Sequence, residues 1–391
     1  MKILVISHYF WPENFRVNEL VEFLQKKKHK VTVLTGVPNY PKGKIYQEYR
    51  LNKNKFKRYK SIEIIRAPII PRGTNYFSLF LNYFSFIVSS TITGIFTLRK
   101  RKFDKIFFFA TSPIFSAIPA IIIGKIKKIP ISIWVLDLWP ETLYQYKVFK
   151  VKIIDKILRF FISKILKQFD TIFVQSPLFI KKIRKLLFHN KIIFLPAWYE
   201  NNYLKKNYLK KNKKALRIVF AGNLGDAQNL ISLIKKINQL KQNIPIKFFF
   251  IGDGRVKKLI KKYLLNNNKN NNIFITKSYP NFKMPNILSC ADYLLISLKN
   301  VEPFNLTIPG KLQNYMALGK PIISFSVGIV NNIILSANCG YAENIDKINI
   351  NKFLDKIIIN KKKNMMSQNS LNYAKKNYNK ELILKKFLMN L

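Results

Sequence analysis

Short apolar runs alternate with amphipathic ones along most of the chain. Lys2–Ser7 is apolar after its first residue, as a strand buried on both faces must be. A loop over His8–Arg16, helical spacing over Val17–Lys28 and a second apolar run at Lys30–Thr35 follow. A strand–loop–helix–strand order this short predicts a right-handed crossover in a parallel sheet. Further strands are expected at Ile62–Arg66, Lys105–Phe109, Ile131–Leu136, Thr171–Gln175 and Ile192–Leu195. The pattern breaks at 201–214, where Asn-Tyr-Leu-Lys-Lys occurs at 202–206 and again at 207–211. So polar a repeat reads as a linker.

Beyond it the alternation restarts. Strands are expected at Leu216–Phe220, Ile246–Ile251, Ile273–Ile275, Tyr293–Ser297 and Pro321–Phe325, and helices at Ala227–Gln239, Arg255–Leu265, Met284–Ser289 and Lys311–Leu318. A charged helix, Gln368–Leu391, is expected to close the chain. The pattern predicts an α/β protein of two doubly wound, Rossmann-like domains, one over 1–200 and one over 215–367, with the helix 368–391 after them.

One segment stands apart. Gly73–Leu98 carries no charge and is long enough for a helix to cross a bilayer. Ser78, Asn82, Ser85, Ser89 and Thr93 recur on one side of it, which favours a surface helix partly dipped in lipid. A buried core helix and a true span are the alternatives; a span would put the strands before and after it on opposite sides of the membrane. The basic run Arg99-Lys-Arg-Lys102 follows, making 73–102 a membrane-associating region.

Charge sharpens this reading. The 391 residues hold 69 Lys+Arg against 19 Asp+Glu. Abundant Lys, Asn, Ile, Phe and Tyr point to a codon bias that explains Lys over Arg, but not the shortage of Glu. Such an excess favours polyanions, either nucleic acid or an anionic membrane surface. Cys290 and Cys339 are isolated, which indicates neither a disulfide framework nor a zinc site and fits a reducing cytoplasm. Residues 1–7 read as a strand and not as a signal peptide.

In open parallel sheets ligands sit beyond the carboxyl ends of the strands. Ala221-Gly-Asn-Leu-Gly-Asp226 and Gly252-Asp-Gly254-Arg255 are both strand-to-helix loops in which glycine lets the backbone approach a phosphate. Gly222, Asn223, Gly225, Gly252, Gly254 and Arg255 are therefore candidate phosphate-binding residues. A third element joins them. Pro309 and Gly310 open a helix whose free N–H groups favour an anion, with Lys311 beside them; Gly319 and Pro321 end it. Together the three indicate a nucleotide-diphosphate site.

Glu19, Glu22, Asp155, Asp355 and Glu381 fall on helix patterns and read as solvated. Glu13, Asp137, Glu141, Asp226, Asp253 and Glu302 fall in loops after strands, where acid–base chemistry would occur. Asp137 is the foremost, because the buried run Ile-Trp-Val-Leu leads straight into it between Trp134 and Trp139; an Asp capping the turn before Pro140 is the plainer reading. His8 ends the first strand and is a candidate for acceptor binding or proton handling, with a structural His as the alternative. His29 and His189 read as surface residues. No Asp-x-Asp pair, Gly-x-Ser-x-Gly elbow or Walker loop is present.

Six stretches together carry a family resemblance: Ser7-His-Tyr-Phe-Trp-Pro-Glu-Asn14, Thr35-Gly-Val-Pro-Asn-Tyr-Pro-Lys-Gly-Lys-Ile-Tyr46, Asp137-Leu-Trp-Pro-Glu141, Leu195-Pro-Ala-Trp-Tyr-Glu200, Phe220-Ala-Gly-Asn-Leu-Gly225 and Ile308-Pro-Gly-Lys-Leu-Gln-Asn-Tyr-Met-Ala-Leu-Gly-Lys-Pro321. The chain resembles family 4 glycosyltransferases of the GT-B fold, in the bacterial branch of L-fucosamine and colanic-acid-type exopolysaccharide transferases. The resemblance implies an N-terminal acceptor domain and a C-terminal nucleotide-sugar domain facing across a cleft, with a last helix crossing back. It implies metal-independent transfer with retention, without a cofactor, the leaving diphosphate being stabilised by helix ends and cations.

The chain departs from the family where many members carry Arg and Lys after the first donor-domain strand; Asn223 and Gln228 stand there. Two family glutamates align with Leu306 and Asn314. Asn314 still offers hydrogen bonds to a ribose, whereas Leu306 leaves a sugar contact to Glu302 or Thr307. The reading is a transferase moving a sugar, such as an N-acetylated deoxyhexose, from a UDP-sugar to an undecaprenyl-type lipid-linked saccharide at the cytoplasmic face of the membrane. The catalytic candidates are Asp137, His8 and Glu13. The alternatives are a GT-B sugar-nucleotide epimerase and a basic nucleic-acid-binding protein; no specific nucleic acid is expected as a partner.

Overall fold

The structure is a computed structural model that describes every residue except 74, 145–150, 189–190, 205–214, 241–244, 268–270 and 360. His189 and most of the expected linker thus lie outside the described residues. The chain divides into two compact units, Met1–Pro196 with Leu384–Leu391, and Ala197–Ile383.

The first unit is built on eight strands: β1 Lys2–Ser7, β2 Lys30–Gly36, β3 Arg58–Tyr59, β4 Ile62–Ala67, β5 Lys105–Ala110, β6 Ile131–Val135, β7 Thr171–Val174 and β8 Lys191–Phe194. Their order is β3-β4-β2-β1-β5-β6-β7-β8. All neighbours are parallel except the β3–β4 hairpin. After its first residue β1 is buried throughout, and so is β5, because helices cover both faces of the sheet. The order reverses between β1 and β5, so the crevice of this sheet opens beside the loop that starts at His8.

The second unit holds β9 Leu216–Ala221, β10 Ile246–Ile251, β11 Ile273–Thr276, β12 Tyr293–Ser297, β13 Ile322–Phe325 and β14 Gly340–Glu343, in the order β11-β10-β9-β12-β13-β14. Here the reversal lies between β9 and β12, so the Gly222 loop borders the crevice. The short β14 escapes the apolar pattern, since only Gly340 in it is buried.

Two helices differ from the sequence reading. The stretch 227–239 is a 3-10 turn over Asp226–Gln228 and then a helix Leu230–Asn238, separated by Asn229 in the left-handed region. The expected helix 368–391 is two helices, Lys363–Asn377 and Lys380–Asn390. The break has a local cause: Asn379 Oδ1 accepts the backbone N–H groups of Glu381 at 2.9 Å and Leu382 at 3.2 Å, an N-cap that starts a new helix. Only its last part belongs to the first unit, where the Phe387 ring lies 4.7 Å from that of Phe107 and 5.1 Å from that of Phe173.

The uncharged segment forms the helix Tyr76–Leu98, capped by Asn75, whose side chain accepts the Ser78 N–H. Its polarity is inverted. Asn82, Phe86, Ser90, Gly94 and Leu98 face inward, while Phe77, Phe80, Phe84, Ile92 and Phe96 are exposed. Small and polar groups seat it closely: Asn82 donates to the Ile70 carbonyl at 2.6 Å, and a Cβ on Gly94 would lie 2.4 Å from Ile123 Cδ1. It is long and apolar enough to cross a membrane, and only 22% of its most apolar window is buried. It is therefore not a core helix.

Candidate functional site

In the second unit, three backbone segments meet at the carboxyl ends of β9 and β10. Gly222 N–H donates to the Ile251 carbonyl at 2.9 Å and Leu224 N–H to that of Asp253 at 2.8 Å. A Cβ on Gly252 would lie 1.9 Å from the Gly222 oxygen, and one on Gly254 would lie 2.4 Å from the Leu224 oxygen. These two glycines are needed for loop-on-loop packing whether or not a ligand binds. Asn223 is exposed beside them, and Gly225 N–H donates to Gln228 Oε1 at 3.2 Å.

The helix Gly310–Ala317 brings the third segment. Tyr315 fixes its register on β9, its Oη accepting the Ala221 N–H at 2.9 Å and donating to the Ala221 carbonyl at 3.1 Å. One turn earlier Lys311 reaches over the sheet end. Its Nζ lies 3.8 Å from the centroid of the Phe220 ring and 3.3 Å from where a Gly222 Cβ would be. That Nζ is buried and has no hydrogen-bond partner among the described residues, although the residue as a whole is partly exposed. Burial lowers its pKa to about 7. Nothing lies within 4 Å of where a Cβ on Gly310 would project, so the helix start is open.

The structure thus gathers Gly222, Asn223, Gly225, Gly252, Gly254 and Lys311. Arg255 is exposed in the turn before the next helix; the cation that touches the loop is instead Lys257, whose Nζ donates to the Gly252 carbonyl at 2.9 Å. Thr307 Oγ1 donates to the Pro303 carbonyl at 2.7 Å. Asn314 Oδ1 accepts the Glu200 backbone N–H at 2.9 Å, so its oxygen is engaged within the unit. The sequence reading missed Lys257 and a polar cluster past β13. There Ser324 and Ser326 both donate to Asn331 Oδ1, at 2.9 and 2.7 Å, and the nearby Ser297 Oγ is buried without a partner. Serines closing apolar strands were the available signal.

In the first unit the loops after β1, β2 and β4 interlock. Glu13 accepts the backbone N–H groups of Asn39 at 2.8 Å and Tyr40 at 2.7 Å through Oε1, and that of Phe10 at 3.2 Å through Oε2. Burial raises its pKa to about 7, against the pull of these N–H groups and of Arg66. Arg66 donates to the Gly36 carbonyl at 2.9 Å and to that of Trp11. Glu13 is therefore a carboxylate whose bonds hold loops together.

His8 is fully buried, stacked between Tyr9 at 4.2 Å and Phe86 at 4.4 Å, with Tyr83 edge-on. Neither ring nitrogen has a hydrogen-bond partner among the described residues, and burial, aided by Arg72, lowers its pKa to about 3, so the ring is neutral. Arg72 stacks on Tyr40 and bonds Tyr9, and Tyr9 Oη donates to Asn82 at 3.3 Å. Asp137, just past β6, is half-buried with no hydrogen-bond or ion-pair partner among the described residues; burial raises its pKa to about 6. Glu141 is held apart in an ion pair with Arg159 at 2.9 Å. Among the described residues, no three His, Cys, Asp or Glu cluster to hold a metal ion.

Two doubly wound parallel sheets, one ending in glycine loops beside a buried lysine, define the class: the chain has the GT-B fold of glycosyltransferases. Residues 203–377 match the family model described as glycosyl transferases group 1, so this part of the chain carries a group 1 glycosyltransferase domain. It is 24% identical over 342 residues, 82% of each chain, to the colanic acid biosynthesis glycosyl transferase WcaI of Escherichia coli (strain K12). Among solved structures it is similar to a sucrose-phosphate synthase (tll1590) from Thermosynechococcus elongatus, at TM-score 0.73 and 13% identity, covering 100% of this chain and 98% of that one. Anabaena Alr3699/HepE in complex with UDP is similar at TM-score 0.67 and 11% identity, with 100% and 99% covered. WaaG, a glycosyltransferase involved in lipopolysaccharide biosynthesis, is similar at TM-score 0.67 and 14% identity, with 99% of each covered. At these identities the structures speak for the fold.

Proposed function

We propose that this glycosyltransferase moves a sugar from a UDP-linked donor to a lipid-linked saccharide, in the synthesis of a cell-surface polysaccharide at the cytoplasmic face of the membrane. The observation that carries the donor side is Lys311. A buried ammonium group without an anion, next to exposed backbone at Gly222 and an open helix start at Gly310, is suited to a diphosphate. Anabaena HepE, which shares the fold, is described with UDP bound, which supports the choice of nucleotide. WaaG is described as involved in lipopolysaccharide biosynthesis and WcaI is named for colanic acid biosynthesis, which supports the class of acceptor. The exposed aromatic face of the helix Tyr76–Leu98 favours an acceptor carried in a membrane.

In this reading the bond between the anomeric carbon and the donor phosphate oxygen breaks, and one to the acceptor oxygen forms on the same face. Lys311 and the Gly310 helix end stabilise the charge that grows on the departing diphosphate, without need of a metal ion. The acceptor hydroxyl's proton passes to Asp137, whose carboxyl is tuned by burial toward neutral pH. Thermal unfolding against a panel of nucleotide sugars, with UDP and GDP as controls, tests the donor. Protection by UDP-sugars that Lys311→Ala abolishes is expected; equal protection of both proteins would remove the diphosphate assignment. Product analysis with membrane lipid extracts then separates transfer from epimerisation of the donor.

A further inference from the structure

The helix Lys152–Leu166 repeats the inversion of Tyr76–Leu98. Ile162, Ile165 and Leu166 are buried, whereas Ile153, Ile154, Ile157, Phe160 and Phe161 are each about half exposed or more. Isolated exposed apolar side chains are ordinary; a contiguous row of them marks a contact surface. The two helices share one face of the first unit. The connections from β4 to β5, from β5 to β6 and from β6 to β7 all run in the same direction along the sheet, and right-handed crossovers put their helices on one side. Both helices also pack against the turn Ile114–Ala117.

Positive charges predominate around this face. The helix Tyr76–Leu98 has none and is followed by exposed Arg99, Lys100 and Lys102, and by Arg101, which pairs with Glu63 at 2.5 Å. Lys152, Lys156 and Lys164 are exposed among the apolar residues of the second helix, with Lys164 Nζ 4.4 Å from the Phe160 ring centroid. The acid of that helix, Asp155, shares Arg159 with Glu141, each at 2.9 Å, and the exposed lysines outnumber this pair of acids. A second copy of the chain would bring like charges together around the same apolar rows. An anionic bilayer offers both an apolar interior and opposite charge.

We propose that the first unit docks on an anionic lipid bilayer through both helices as a single platform, the uncharged Tyr76–Leu98 lying deeper and Lys152–Leu166 lying at the headgroups with its lysines on lipid phosphates. This rests on the reading of a membrane-borne acceptor and deepens it. The inner face of Tyr76–Leu98 carries Asn82 and Phe86, which pack on Tyr9 and His8, so the helix that meets lipid is tied to the loop after β1 at the crevice of this sheet.

Flotation with vesicles of phosphatidylglycerol and phosphatidylcholine, against phosphatidylcholine alone, tests the platform on the full chain. The wild-type protein is expected to float with the anionic vesicles. Ile153→Gln/Ile157→Gln/Phe161→Gln and Lys152→Glu/Lys156→Glu/Lys164→Glu should each lower the bound fraction about tenfold or more, with unfolding temperatures unchanged. Either triple variant floating like the wild type would overturn the two-helix platform. So would self-association of the wild type in solution that the apolar variant abolishes, because a second copy would then cover the face. Thermal protection by UDP-sugars is read in parallel. Its loss from the wild type would count against the proposed function and leave the platform standing, and intact protection without flotation would do the reverse.

Discussion

The ammonium group of Lys311 rests 3.8 Å from the centre of the Phe220 ring, with no hydrogen-bond partner among the described residues. The ring face offers a weak cation–π attraction, which does not offset the loss of water. Between its folded value of about 7 and its ordinary value of 10.5, the unfolded chain holds the proton and the folded chain has released it. Stability therefore rises with pH across that window. Lys311→Met should be more stable than the parent by about 1–3 kcal/mol at pH 7 and below. The difference should vanish near pH 10.5. Denaturant unfolding at a series of pH values measures this.

A diphosphate beside Lys311 would restore the proton. Calorimetry in buffers of different ionisation enthalpy should find proton uptake when UDP binds above pH 7. Affinity should weaken as pH rises from there, by at most about tenfold per unit for one coupled proton. A flat affinity profile with no proton uptake would mean that Lys311 does not meet the ligand.

Asp137 has the opposite stability profile. Its folded pKa of about 6 exceeds the ordinary 3.8, so the folded chain binds the extra proton and stability falls as pH rises through that window. Asp137→Asn should gain about 1–2 kcal/mol above pH 6, gain nothing at the acid end, and transfer sugar about a hundredfold or more slowly. Unchanged turnover would leave Asp137 a buried structural acid.

Glu13→Gln should loosen the first unit's loops. An amide nitrogen turned toward Phe10 N–H sets donor against donor, at a cost of about 1–3 kcal/mol. Faster amide hydrogen exchange at Phe10, Asn39 and Tyr40 is the direct readout.

Gly252 and Gly310 should separate by mechanism. A methyl group on Gly252 meets a carbonyl oxygen at 1.9 Å, and its φ of +153° favours glycine, so Gly252→Ala should lose about 3 kcal/mol or more. Gly310→Ala meets nothing within 4 Å and should keep its stability while weakening UDP protection, if phosphate approaches the helix start. Paired thermal unfolding with and without UDP distinguishes the two.

Strand positions were legible because parallel strands buried on both faces are written as apolar runs: β1, β5 and β12 stand within a residue of the positions their composition indicates. The family resemblance was legible for a different reason, since its motifs fall in the loops at strand ends. What the sequence hid were long-range partners. Asn379 as a cap was readable from Asn-Lys-Glu before an apolar run, yet the unbroken helical spacing on both sides masked it. That Asn314 would spend its oxygen on Glu200, or that Lys257 would reach Gly252, depends on side chains meeting across segments far apart in sequence. For Tyr76–Leu98 the stripe of polar residues was visible, but composition alone does not say which side of a stripe faces in.

The last turns of the chain impose an order on its synthesis. Phe387 wedges between Phe107 of β5 and Phe173 of β7, and the Leu391 carbonyl receives a hydrogen bond from Lys105, 286 residues earlier. A ribosome releases domains from the N-terminal end first, and most can close as they emerge. Here the first unit waits with a gap in its hydrophobic packing until the whole second unit has been translated. The unit that emerges first is completed last, and chains stalled short of Phe387 would keep that gap open.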